Sequence, residues 1–282
     1  MKIKFLNQTV LILVLVFISI FSSIAQINTP RPSPSASIMQ KIGLADVTIA
    51  YSRPSAKGRK IFGDVVPFNK IWRTGANEPT KLTTTDTISI GGKKIGPGEY
   101  GLYTIPGESE WTVIFGKNPK TSAGAYKEEE DAVRLKVRPE TSSSKLETFT
   151  IDFANVTTTS ADLVLSWENT SVKFKIENEV DKKVMAQIKD RNEDINFQWQ
   201  AASYYFDNNK DLNQAYTWVN KVVERNPQFW TWHLKAKIEA KQNKCALATA
   251  SAQKSMELAK TAGNDEYVKF NEKLIADCKG KK

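Results

Sequence analysis

The sequence predicts an α+β chain in two parts: an antiparallel β-sandwich, jelly-roll-like, followed by an all-α, tetratricopeptide-like helical domain. Three observations carry this expectation. Polarity alternates with a period of two from about residue 36 to 177, as in half-buried strands. The alternating segments are short and punctuated by Gly, Pro and Asn, with no helical period between them. Near Asn178 the period changes to that of a helix and stays there to the end of the chain.

The elements follow in order. Lys2 and Lys4, the apolar run 10–21 and the small residues Ser23 and Ala25 read as a secretory signal over residues 1–25. Cleavage after Ala25 is favoured over an uncleaved anchor, because the apolar run is shorter than the roughly 18 residues of a spanning helix. No cysteine lies near the cut to carry a lipid. Residues 26–36 form a Pro/Ser-rich spacer, expected to be extended. Residues 37–177 then hold the sandwich, with strands expected at 46–52, 83–90, 100–105, 111–115, 133–137, 149–153, 163–167 and 172–176. Gly91-Gly92 and residues 168–170 read as hairpin turns, and Gly96-Pro97-Gly98 as a turn before a strand. Roughly 140 residues suffice for an independent core.

Residues 178–282 are expected to be helical. Val180, Val184 and Ile188 share one face. Trp199, Ala202, Phe206, Ala215 and Pro227 are spaced like tetratricopeptide signature positions, and Trp232, Ala236 and Ala248 begin a weaker second unit. Residues 265–277 would cap the stack. Cys245 opens one helical pattern and Cys278 closes the next. An antiparallel pair would bring them together, so a disulfide is expected in an exported chain; two buried thiols are the alternative.

The formal charge is +9, with the excess beyond about residue 180. There the basic residues alternate with Asp and Glu along helices, as on a solvated face. No basic tract with interleaved aromatics suggests nucleic acid, and no stable membrane span remains after signal cleavage.

Candidate chemistry gathers in Gly- and Pro-punctuated segments. Tyr51, Arg53, Arg59, Trp72, Arg73, Asn77, Glu78 and Thr80 form a polar and aromatic set suited to an anionic or sugar-like ligand. The arginine fork matches carboxylate, phosphate and sulfate, and the rings offer stacking faces. The competing account is structural, with arginines satisfying the backbone of long loops. Catalysis finds less support. His233 is the single histidine and falls in the helical half, which removes histidine-based triads and zinc sites from the β-half. Asp64, Glu78 and Glu99 leave open a carboxylate-dependent hydrolase acting on envelope glycans. The acidic run 128–131 reads as solvated rather than metal-binding, and no cofactor is called for. In the helical half, Tyr204, Tyr205, Trp218, Phe229, Trp230 and Trp232 fill the core for the most part, with one or two left for a groove that takes a protein partner.

Residues 51–63, Trp72-Arg73-Thr74-Gly75-Ala76-Asn77-Glu78 and Gly96-Pro97-Gly98-Glu99-Tyr100 resemble DUF2911, a family of exported bacterial proteins whose domain has no known function. The resemblance covers about residues 36–177, with a helical part as a frequent companion. It implies a periplasmic or secreted location and no established activity. The resulting expectation is a non-catalytic binding or assembly module of the cell envelope, with the glycan hydrolase and a purely structural module as alternatives.

Overall fold

The computed structural model describes residues 29–190 and 194–280. The expected signal, 1–25, and residues 26–28 of the spacer lie outside the described residues. The chain divides into two compact units that meet between Glu179 and Val180.

Among the described residues, the first unit is built from two antiparallel sheets. One has six strands in the order β1 (Ser35–Ile42), β2 (Ala45–Ser52), β3 (Thr80–Thr84), β6 (Gly98–Ile105), β7 (Trp111–Gly116) and β8 (Asp131–Val137). The other runs β5 (Lys93–Ile95), β4 (Ile88–Ile90), β10 (Ser160–Glu177) and β9 (Glu140–Ala154). Alternation places Val47, Ile49, Leu82, Leu102 and Phe115 of the first sheet in one core with Phe149, Ile151, Leu163, Leu165 and Trp167 of the second. That shared core makes the unit sandwich-like.

Three expected boundaries shift, each for a local reason. Strand β1 begins at Ser35, so the end of the spacer is strand. Ser35 and Ala36 lie opposite Ser52 and Tyr51, while Ala36 and Ile38 pack against the core. The expected strand 83–90 is two strands in different sheets. Asp86 breaks it: the Thr84 hydroxyl donates to the Asp86 carbonyl at 2.8 Å, and the Asp86 carboxylate accepts from the Thr87 amide at 2.6 Å. Such side-chain bonds compete with a ladder. Residues 168–170 do not turn the chain back, because β10 runs through them with register shifts against β9. Glu168 takes a φ of 54° there, as in a bulge. The Gly91-Gly92 hairpin forms as expected between β4 and β5, with φ of 56° and 80°.

Among the described residues the second unit holds six helices: α1 (Asp181–Asp190), α2 (Ile195–Asp207), α3 (Leu212–Arg225), α4 (Phe229–Lys241), α5 (Cys245–Thr261) and α6 (Asp265–Lys279). Asp194, Asp211 and Asn264 cap three of them by accepting from backbone amides two or three residues on, as N-caps do. Ala202 and Ala215 are fully buried, which lets α2 and α3 pack closely around Ile188, Trp218, Val219, Leu234 and Ile238. Among the described residues, no helix is long and apolar enough to cross a membrane. Nor is the expected disulfide present. Helices α5 and α6 pack together, yet no S–S bond joins Cys245 to Cys278. Cys278 instead lines a groove with Ala240 and Lys241 of α4.

Asn178, the last buried residue of the first unit, ties distant turns together. Its side chain accepts from the Leu44 amide at 2.8 Å and donates to the Thr87 carbonyl at 2.7 Å. Replacing it by alanine leaves a part-buried donor and acceptor unpaired, so Asn178→Ala is expected to cost about 1 kcal/mol or more. In urea titrations the midpoint should fall with an unchanged slope; an unchanged midpoint would show that the tie contributes nothing.

Candidate functional site

The eight residues singled out from the sequence lie on or beside the segment 53–79, which joins β2 to β3. Most of their polar atoms are turned inward. The Tyr51 hydroxyl donates to the Ile151 carbonyl at 3.2 Å and accepts from the Ile151 amide at 3.0 Å. Arg53 reaches the same sheet, its Nε donating to the Phe149 carbonyl and its Nη2 to the Thr150 hydroxyl. Arg59 donates to the carbonyls of Ala56 and Ser55, both at 2.9 Å, and so closes its own loop. Thr80 is fully buried, with its hydroxyl on the Thr74 carbonyl.

Trp72 lies inside rather than on a binding face. It stacks on Trp167 with centroids 6.0 Å apart and meets Phe149 and Phe62 edge-on. Its indole N–H donates to the Gly75 carbonyl at 3.0 Å. Arg59, Arg73, Asn77 and Glu78 are the exposed members of the set. Arg73 Nη1 donates to the Asn77 carbonyl at 2.6 Å. The Asn77 amide, at a φ of 57°, donates to the Ser33 carbonyl and the Ser52 hydroxyl. Among the described residues Glu78 has neither an ion pair nor a hydrogen bond, so it is not the counter-ion of Arg53 or Arg73.

A polar cleft of about 430 Å³ does exist in this unit, between Phe68, Asn69 and the turn joining β6 to β7. None of the eight residues lines it. Nor do Asp64 and Glu99; its carboxylates are Glu108 and Glu110, and Glu110 is ion-paired with Lys136. Glu99 is paired with Lys81 at 2.7 Å. The acidic run is held in part by Arg134, which meets Glu128 at 3.1 Å and Asp131 at 3.0 Å. Burial and the neighbouring Asp131 carboxylate push the Tyr126 hydroxyl beside this pair up to about 12.

The helical unit carries a larger recess. A groove of about 650 Å³ runs across α2, α4 and α6, lined by Phe206, by His233, Lys237, Ala240 and Lys241, and by Phe270, Lys273, Leu274, Asp277 and Cys278. Its volume is typical of ligand pockets, roughly 300–1,000 Å³. The ammonium groups of Lys237 and Lys241 sit 4.5 and 4.6 Å from the Phe206 ring centroid, in cation–π range. Lys241 is further held by the Phe206 carbonyl at 3.1 Å and the Asn209 side chain.

His233 is fixed by a chain of hydrogen bonds across three helices. The Asn271 amide donates to the Tyr267 carbonyl at 2.7 Å and to the Ser255 hydroxyl at 2.8 Å. Ser255 in turn donates to the Phe229 carbonyl at 2.7 Å. Both amide protons of Asn271 are thereby used, so its oxygen accepts from His233 Nδ1 at 2.8 Å. The proton is on Nδ1, and Nε2 keeps a lone pair while the ring is neutral. Burial, assisted by nearby Lys237, pushes the imidazole below its ordinary value of 6.5 against the Asn271 bond.

Sequence reasoning missed this groove. Of the aromatic set chosen for a partner surface, Tyr205 and Trp218 pack edge-on at 4.9 Å and line a second recess beside α1. Phe229 meets Trp230 and Tyr267 edge-on, and Trp232 lies under Lys235. The available signal was spacing: residues 233, 237 and 241, like 270, 274 and 278, recur every four positions and so form a stripe on one helix face.

Two outcomes follow. Arg53→Ala removes bonds from a charged donor to the second sheet and should cost about 1.5–3 kcal/mol. The exposed Arg73→Ala should cost less than about 1 kcal/mol. Chemical denaturation of both variants checks the order, and reversed costs would contradict it. For His233, the unfolded chain takes up the proton first as the pH falls, so protonation favours unfolding. Its stabilising contribution is complete above the ordinary value and declines as the pH drops through 6.5. The stability gap between wild type and His233→Ala should therefore narrow between neutral and mildly acid pH; a constant gap would refute the assignment.

Comparison with known proteins gives one match. A family model described as "Protein of unknown function (DUF2911)" covers residues 33–176, about half of the chain. No curated protein matches the chain, and no solved structure does.

Proposed function

The chain belongs to the DUF2911 family, and from that premise we propose that it is a non-catalytic binding or assembly module of the bacterial cell envelope. The recognition surface in this reading is the groove across α2, α4 and α6, which receives a protein partner. The reading takes the N-terminal segment as a cleaved signal and the location as periplasmic or secreted. It treats α2–α3 and α4–α5 as tetratricopeptide-like helix pairs closed by α6, supported by the buried alanines at the α2–α3 contact. In such stacks the open face takes extended partners.

One observation carries the choice of surface. The polar residues of the β-unit are spent largely on their own backbone, whereas the helical groove is lined by apolar and basic side chains together. The Arg/Asn cluster accordingly serves as a clasp. A second reading, an anionic or sugar-like ligand, rests on Arg59, Arg73, Asn77 and Glu78, the members of the set that are exposed.

Site-specific photocrosslinking in cells tests the proposal. A photoreactive residue at Phe270, in the groove, should give a discrete protein adduct in the envelope fraction. The same residue at the exposed Leu247 on α5, which does not line the groove, should not. Equal adducts from both positions, or none from either while the protein accumulates, would reject the groove as the partner surface.

A further inference from the structure

The groove is lined by two kinds of side chain. Phe206, Ala240, Phe270 and Leu274 are apolar, while Lys237, Lys241 and Lys273 are basic against one acid, Asp277. Among the described residues, Lys237 and Lys273 are in no ion pair. An occupant that covered them without supplying negative charge would desolvate two ammonium groups at a cost. A basic occupant would meet like charge. The groove also spans three helices. At roughly 8–10 Å between neighbouring axes it is about 20 Å long, the reach of about six extended residues.

We propose that the groove binds an extended acidic peptide segment. Its apolar side chains lie on Phe206, Phe270 and Leu274, and its carboxylates meet Lys237 and Lys273. Along the stripe 233–237–241 the lysines can only donate, so the free Nε2 of His233 supplies the acceptor for a backbone N–H of that segment. This inference rests on the reading of the helical unit as a protein-binding surface and adds the chemistry of what it binds.

The test is a random dodecapeptide display selection on the purified protein. The counter-selected variants are the Lys237→Ala/Lys273→Ala pair and, separately, Phe270→Glu. Phe270 is 45% exposed, so the second variant can fold if the first does not, and circular dichroism melts verify both. Expected are enriched peptides with excess Asp and Glu around an apolar residue. As labelled peptides they should bind either folded variant about tenfold or more weakly, and should weaken as salt is raised. Enriched peptides of neutral or basic composition that still lose binding to Phe270→Glu would overturn the acidic preference and leave the groove as a binding surface. Enrichment that neither variant alters, or no enrichment, would overturn both.

Discussion

The stack of Trp72 on Trp167 is the contact on which the β-unit depends. Residues 53–79 are a long connection without a ladder of their own, and such segments rarely persist in a compact domain unless something fixes them. Trp72 fixes this one from the middle. Its ring lies against Trp167 of β10 and Phe149 of β9, while its backbone exchanges hydrogen bonds with Thr104 of β6 at 2.7 and 2.9 Å. One residue thereby holds the connection to both sheets.

The rest of the segment follows from that anchor. Ala56 donates its amide to the Glu147 carbonyl, the Phe149 amide donates to the Pro54 carbonyl, and the Ile61 amide donates to the Glu168 carboxylate. Buried loop backbone requires such partners. This is why arginine and asparagine are dense here: each offers several donors that reach carbonyls which no strand satisfies. The Glu168 bulge belongs to the same design, since it turns a β10 carboxylate toward the segment. Gly75, at a φ of 154°, leaves its missing Cβ only 3.0 Å from the Ser52 carbonyl; a side chain would push the segment off β2.

The helical unit is held by other means. Small residues bring α2 and α3 together, and a buried polar chain from Phe229 through Ser255 and Asn271 to His233 sets the mutual register of α4, α5 and α6. Such a chain is costly if one member is lost and specific if all are present. It also presents the groove with an imidazole whose Nδ1 carries the proton, beside lysines that no carboxylate among the described residues neutralises by ion pairing.

Periodicity in the sequence determined the two-part architecture, most strands, the change to helix near Asn178 and the Gly91-Gly92 hairpin, because these depend on neighbours two to four residues apart. The density of Arg, Asn and Gly also marked residues 53–79 as an irregular connecting segment. What it left open was the direction of each side chain there. Arg53 on a carbonyl and Arg53 on a ligand look the same in one dimension, and only the approach of β9, about 96 residues away in sequence, distinguishes them. The split at Asp86 and the run of β10 through residues 168–170 were likewise settled by which strand lies alongside. The groove itself arises from one stripe on α4, one on α6 and Phe206 of α2. Its residues became a site only when packing brought them to a common face.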